Sequence, residues 1–182
     1  IGQVIDPQRI DTIVVNHAEM DHSGSLGRMV EAVHPERIFA SPACEKALKA
    51  HFHYRDWPVR VVKTGDRLNL GKRNVTFLET RMLHWPDSMF SFLEEDGLLI
   101  SSDAFGAHYA SSERFDDEVE TGELMHQAAK YYANILNPYS PLVAALLEQV
   151  RKMGLKIDMI APDHGVIWRR DPGRILSAYA DW

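Results

Sequence analysis

The sequence predicts an α/β (α+β) domain in which helices cover a mixed β-sheet. Over residues 10–51, short β-branched segments alternate with helical patterns, as in βαβ units. The middle of the chain is a series of short strands separated by turns such as Gly65-Asp66 and Asp96-Gly97, and the last third is mostly helical. This order of elements predicts one sheet-containing core rather than a helical bundle or a β-barrel.

The predicted elements follow one another without an internal repeat or a linker. Pro42 suits the first position of a helix, and the polar cluster of residues 16–24 is predicted to be a functional loop. The predicted strands are 10–15, 37–40, 59–62, 67–70, 75–78, 89–93, 98–101 and 157–161. The predicted helices are 25–33, 42–51, 123–136, 142–153 and 173–179. We therefore expect one domain over residues 1–182.

Composition excludes several classes of partner. The formal net charge is −6 and no run of Lys or Arg is present, so we expect neither nucleic acid nor an anionic membrane surface as a partner. No apolar stretch approaches the ~20 residues that a transmembrane helix needs. The chain has one cysteine, Cys44, which cannot form an internal disulfide, and a reducing cytoplasmic setting is predicted.

The segment after the first predicted strand carries four potential metal ligands within six residues. His17, Glu19 and Asp21 alternate, so in an extended backbone they would project to one side, while His22 would turn with the following loop. Buried without a metal, such carboxylates would cost several kcal/mol each in order-of-magnitude terms. One segment could thus serve two ions.

Three later residues stand where predicted strands end or loops begin. They are His84, Asp103 and His164. Each could be an ordinary polar loop residue, and for a lone histidine that alternative is favoured. Seven candidate ligands in one chain favour a two-metal site instead.

The motifs resemble those of a known family. The loop of residues 17–22 is similar to the His-x-His-x-Asp-His signature of the metallo-β-lactamase superfamily, with Glu19 at the second histidine position. The form His-x-Glu-x-Asp-His is that of the flavodiiron proteins (A-type flavoproteins, rubredoxin:oxygen/NO oxidoreductases). The similarity extends to residues 83–90, 102–106, 132–136 and 162–165, in the family's order. It implies a metallo-β-lactamase-like αββα sandwich, and the carboxylate at Glu19 favours iron over zinc.

The resemblance also implies a ligand set. His17, Glu19 and His84 would bind one iron, Asp21, His22 and His164 the other, and Asp103 would bridge them. The position of His22 is not a ligand in every member of the family. Tyr131 lies in the segment that lines the gas pocket of similar proteins and could donate a hydrogen bond to substrate, or simply pack in the core. His108 could be a proton source or a solvated loop residue.

Two parts of the family pattern have no counterpart in this chain: the strands before the signature loop and the flavodoxin-like domain that binds FMN. The resemblance therefore implies a partial domain whose open sheet edge another segment or chain covers. It also implies a head-to-tail homo-oligomer in which FMN of one protomer approaches the di-iron centre of another.

Three functions remain open at this stage. The leading hypothesis is a non-haem di-iron oxidoreductase that reduces O2 to water, NO to N2O, or both, with electrons from FMN and a rubredoxin-like or flavin reductase donor. The alternative is a dizinc hydrolase of a thioester, lactone or phosphodiester. The third is a catalytically silent fragment. The sequence does not decide between O2 and NO.

Overall fold

The computed structural model describes residues 1–54 and 56–182, which form two β-sheets and six α-helices. The strands are β1 (Thr12–Val15), β2 (Arg37–Ala40), β3 (Val59–Val61), β4 (Arg67–Asn69), β5 (Asn74–Glu79), β6 (Met89–Leu93), β7 (Leu98–Ser102) and β8 (Met159–Pro162). The helices are α1 (Met20–Ser23), α2 (Leu26–Val33), α3 (Pro42–Phe52), α4 (Thr121–Ile135), α5 (Ser140–Lys152) and α6 (Pro172–Asp181).

The smaller sheet has the order β1-β2-β3 and is parallel throughout. The larger sheet has the order β4-β5-β6-β7-β8; its first four strands are antiparallel, and β8 joins β7 in parallel. Parallel strands end at the same edge of a sheet, so the loops after β7 and β8 lie side by side. This edge carries part of the candidate site.

Side-chain alternation along the strands separates the core into layers. In β2, Ile38 and Ala40 pack beneath α2 and α3, whereas Phe39 faces the opposite way. Phe39 joins a middle layer that contains Phe77 of β5 and Met89 of β6, so the two sheets pack face to face.

Leucine and aromatic side chains on the other face of the larger sheet pack against the three C-terminal helices. Leu78, Phe90 and Leu99 lie in one cluster with residues of α4, α5 and α6. The layers are therefore helix, sheet, sheet, helix, which is the αββα sandwich that the sequence resemblance implies. No helix in the described part of the chain is both long and apolar enough to cross a membrane.

The strands and the larger helices lie within a few residues of their predicted bounds, but the metal-ligand segment differs. The expectation that His17, Glu19 and Asp21 alternate on an extended backbone is wrong beyond Glu19. That residue is the N-cap of the short helix α1, and the amides of His22 and Ser23 donate to its carbonyl. Asp21 and His22 are therefore presented by a helical turn.

Candidate metal centre

The loop that follows β1 is tied to the larger sheet before the first candidate ligand. The Met89 amide donates to the carbonyl of Asn16 at 2.9 Å, and the Ser91 hydroxyl donates to its side-chain oxygen at 2.7 Å. Inside the loop, the Ser23 hydroxyl donates to the carbonyl of Ala18 at 2.7 Å. These bonds fix the backbone from which the next ligands project.

Asp103 lies in a tight loop after β7 whose backbone is strained on both sides. Ser102 and Phe105 have φ values of 52° and 68°, a left-handed conformation that costs a non-glycine residue about 1–2 kcal/mol. The peptide groups of Phe105 are held at both ends: its amide donates to the Tyr179 hydroxyl at 2.6 Å, and its carbonyl accepts from the Trp168 indole at 2.8 Å. Packing therefore sets the position of Asp103.

The loop after β8 is joined to the Asp103 loop. The amide of Asp163 donates to the carbonyl of Ser102 at 2.8 Å, and the amide of Ala107 donates to the carbonyl of His164 at 3.2 Å. A Cβ atom at Gly106 would lie 2.9 Å from the Asp103 carbonyl oxygen and 3.1 Å from that of His164. The two ligand loops are in contact because this position has no side chain.

The structure brings the other six predicted ligand residues together around Asp103, which is 2% exposed. The two carboxylate oxygens of Asp103 divide them into two groups. Oδ2 lies 3.4 Å from Nε2 of His17 and 3.4 Å from Nε2 of His84. Oδ1 lies 3.1 Å from Nε2 of His22 and 3.3 Å from Nε2 of His164.

The two remaining carboxylates fall one into each group. Oε2 of Glu19 lies 3.1 Å from Nε2 of His17 and 3.3 Å from Nε2 of His84. The carboxylate of Asp21 lies 3.5 Å from Nε2 of His22 and 3.4 Å from Nε2 of His164. Each oxygen of Asp103 thus faces two imidazoles, and each pair of imidazoles has one further carboxylate beside it.

These spacings fit two metal ions. Ligand atoms about 2.1 Å from one dication lie about 3.0 Å apart at right angles and about 3.4 Å apart at a tetrahedral angle. Asp103 Oδ2 and His22 Nε2 are buried and make no hydrogen bond, although other polar atoms lie nearby. Ligand atoms that face a common point, rather than one another, are expected of a metal site, and the nitrogen and oxygen donors suit iron or zinc.

The charge balance of the metal-free cluster depends on Asp103. Burial alone would raise the pKa of this carboxyl, but the neighbouring His22, His84 and His17 hold its pKa below the usual range. Conversely, Asp103 and Asp163 raise the pKa of His22 to about 10. An ion that binds here must therefore displace a proton from His22.

Asp87 is a residue of the site that the sequence analysis did not single out. Its Oδ2 accepts the Ala18 amide at 2.7 Å and lies 3.1 Å from Nδ1 of His17. Histidine ligands of metals commonly donate their second ring N–H to such a carboxylate. The signal was present in the segment Leu83–Phe90, where an acidic residue three positions after His84 lies between Trp85-Pro86 and Ser88-Met89.

The two residues predicted to act beside the metals have different positions. Tyr131 is 2% exposed, and its hydroxyl donates to Oδ1 of Asp103 at 3.1 Å. Burial and the nearby Asp103 raise the pKa of this phenol, which therefore keeps its proton at neutral pH. His108 is exposed, and its ring stacks edge-on against Tyr131 with ring centres 4.7 Å apart. Tyr131 thus contacts the cluster, and the ring of His108 lies beside Tyr131 and 6.4 Å, centre to centre, from the ring of His164.

The fold and the cluster together define a β-lactamase-like domain with a site for two metal ions. Residues 1–165 match the model of the ODP family beta lactamase, and the chain belongs to this family.

Named relatives agree with that assignment. The chain is 49% identical over 182 residues to a nitric oxide reductase of Moorella thermoacetica, covering all of this chain and 46% of the relative. The solved rubredoxin oxygen:oxidoreductase of Desulfovibrio gigas superposes with a TM-score of 0.97 at 48% identity, over 99% of this chain and 45% of that one. The flavodiiron protein of Giardia intestinalis superposes with a TM-score of 0.94 at 34% identity, over 100% of this chain and 44% of that one. The resemblance to flavodiiron proteins is confirmed, and the chain spans less than half the length of these relatives.

Proposed function

We propose that this chain is the di-iron domain of an oxidoreductase that reduces O2 to water, NO to N2O, or both. His17, Glu19 and His84 would hold one iron, Asp21, His22 and His164 the other, and Asp103 would bridge them. The observation that carries the proposal is the division of four histidines between the two oxygens of Asp103, with Glu19 beside one pair and Asp21 beside the other. A carboxylate that bridges two ions needs this arrangement.

Glu19 supports iron over zinc. Its carboxylate occupies a position where a third imidazole would make the site softer and less anionic, and harder oxygen donors suit iron better. The names of the relatives, a nitric oxide reductase and a rubredoxin oxygen:oxidoreductase, also favour reduction over hydrolysis. A dizinc hydrolase remains the alternative that the metal content would decide.

When bound, two ferrous ions would supply two electrons to substrate. Two NO molecules with two electrons and two protons give N2O and one water. One O2 molecule needs four electrons and four protons to give two waters, so two electrons must come from a further donor. The protein must therefore deliver protons in either reaction.

Tyr131 and His108 are the groups that we propose for substrate binding and proton delivery. The Tyr131 hydroxyl lies at the Oδ1 face of Asp103 and could turn from that oxygen to a bound substrate. His108 stands between this ring and solvent, where an imidazole can exchange protons with water. Trp85, which packs edge-on against His17 with ring centres 5.5 Å apart, would help to exclude water on the other side.

Electrons would come from FMN, carried by sequence outside this chain, and from a rubredoxin-like or flavin reductase donor. An open groove of about 450 Å³ beside His84 and Trp85, also lined by Asn134 and Tyr139, would allow a flavin ring to approach a metal ligand. In a head-to-tail homo-oligomer, the flavin of one protomer would reach this groove of another. We further propose a cytoplasmic setting, which would suit the free thiol of Cys44.

Metal analysis of anaerobically purified protein tests the proposal first. We expect about two irons per chain by inductively coupled plasma mass spectrometry. In stopped-flow experiments, the ferrous protein should then be oxidised by O2 or by NO. Two zincs per chain, with hydrolysis of a thioester or phosphodiester, would support the hydrolase instead.

A matched pair of histidine variants tests whether iron binding depends on the cluster. His84→Ala removes a proposed ligand and should lower the iron content and the rate of oxidation. His126→Ala changes an exposed histidine on α4 and should alter neither. Equal iron content in the two variants would contradict the ligand assignment. Iron binding without oxidation by either gas would support a catalytically silent fragment.

A further inference from the structure

Asp87 connects a proposed ligand to the framework of the smaller sheet. The Ser41 hydroxyl, which also caps helix α3, donates to the Asp87 carbonyl at 2.8 Å. The Asp87 side chain then accepts the amide of Ala18 and meets Nδ1 of His17. All four of these residues are buried, so Asp87 has little freedom to move.

The contact settles which nitrogen of His17 is available to a metal. A carboxylate oxygen 3.1 Å from Nδ1 accepts a hydrogen bond from a proton held on Nδ1, which leaves the Nε2 lone pair free. Nε2 is the atom that faces Asp103 Oδ2 and Glu19. Asp87 thus presets both the tautomer and the direction of this imidazole.

The other ion position has a weaker version of the same contact. Nδ1 of His22 lies 3.2 Å from Asp163, whose side chain is 34% exposed, whereas that of Asp87 is 4% exposed. Side chains of the proposed ligands differ in the same direction: His17 is fully buried, and Asp21 is 53% exposed. Water competes more strongly for exposed ligands and screens their charge, so the two ion positions are unequal.

We infer that Asp87 is a positioning residue that makes the ion position formed by His17, Glu19 and His84 the tighter of the two. The position formed by Asp21, His22 and His164 is then the exchangeable one. This inference rests on the proposed function only in requiring that two dications bind. Asp87 contacts no substrate and acts through the orientation and the electron density of His17.

Co2+ titration of the metal-free full chain tests this inference, because Co2+ accepts the same nitrogen and oxygen ligands and its visible absorption reports its geometry. The unsubstituted chain should bind two Co2+ in two separable steps. Asp87→Asn keeps the size of the side chain and removes its charge. It should weaken the first step about 10- to 100-fold, change the absorption of the first ion, and leave the second step within about threefold.

Two matched variants assign the steps. Asp163→Asn removes the charge next to Nδ1 of His22. It should weaken only the second step, and by a smaller factor than Asp87→Asn weakens the first. Asp21→Asn removes an exposed ligand and should abolish the second step while the first remains. Because Asp21 is at the surface, this variant tests the order of the two positions even if Asp87→Asn fails to fold.

The outcomes separate the inference from the proposed function. Fewer than two Co2+ bound by the unsubstituted chain would contradict the two-metal function itself. Two bound ions with unchanged affinity in a folded Asp87→Asn variant would overturn the inference alone. Loss of stability in urea without a change in either affinity or in the cobalt absorption would show that Asp87 is merely structural. Loss of the first step in Asp21→Asn would reverse the proposed order.

Discussion

Replacing Tyr179 by phenylalanine removes one oxygen atom from the core, yet it should loosen the loop that carries Asp103. That hydroxyl accepts the Phe105 amide at 2.6 Å, and both residues are buried. Without it, a buried N–H has no partner, which costs about 1–3 kcal/mol. Since unfolding temperatures of chains this size change by about 2–4 °C per kcal/mol, we expect a fall of about 2–12 °C in the metal-free protein.

Tyr132→Phe is the matched control for this substitution. Tyr132 is also 3% exposed, but its hydroxyl donates at 3.2 Å to Ser140, whose oxygen lies near the surface. Its loss should cost about 0.5–1 kcal/mol. The assay is urea and thermal unfolding of both variants, followed by Co2+ titration. If Tyr179→Phe were no less stable than Tyr132→Phe, the hydrogen bond from the Phe105 amide to Tyr179 would not stabilise the Asp103 loop.

Three further predictions concern the cluster itself. Asp103→Asn should lower the metal content to less than one ion per chain, because both positions share this carboxylate; retention of two ions in metal analysis would refute the bridge. The pKa of His22 is raised from 6.5 to about 10 in the metal-free fold. The stabilisation that comes from its bound proton is therefore fully present below about pH 6.5 and is lost as the pH rises toward 10. The urea concentration at the unfolding midpoint of the metal-free chain should therefore decrease as the pH is raised from about 6 to about 10. His22→Gln should remove the part of this decrease that is due to His22. Gly106→Ala should destabilise the fold by about 1–3 kcal/mol, since its Cβ would meet two backbone oxygens; calorimetry showing no change would contradict the close approach of the loops.

Much of the fold could be predicted because its signals are local. The short apolar run of β2, Pro42 at the start of α3 and the Asp96-Gly97 turn each indicate an element within a few residues. The candidate ligands could be predicted for a related reason: their residue types are costly to bury without a metal. Their division between two ions was implied by the resemblance to flavodiiron proteins.

The remaining features depend on tertiary contacts that short segments do not encode. The helical turn α1 has no strong intrinsic preference, and its start depends on the Glu19 carbonyl and on bonds around Ala18. The left-handed conformation of Phe105 depends on Tyr179 and Trp168, which are far along the chain. Asp87 was missed because its partner, His17, lies in the other sheet's loop.

The ligands on each side of Asp103 come from both sheets. His17 and Glu19 follow β1 of the smaller sheet, whereas His84 and Asp103 lie in loops of the larger one. At the other ion position, Asp21 follows β1 and His164 follows β8 of the larger sheet. Two bound ions would therefore cross-link the sheets and close loops of many tens of residues in the chain. Metal binding would then be coupled to the cooperativity of folding: loss of the proposed ions would weaken the contact between the two sheets, and slow unfolding should accompany full occupancy.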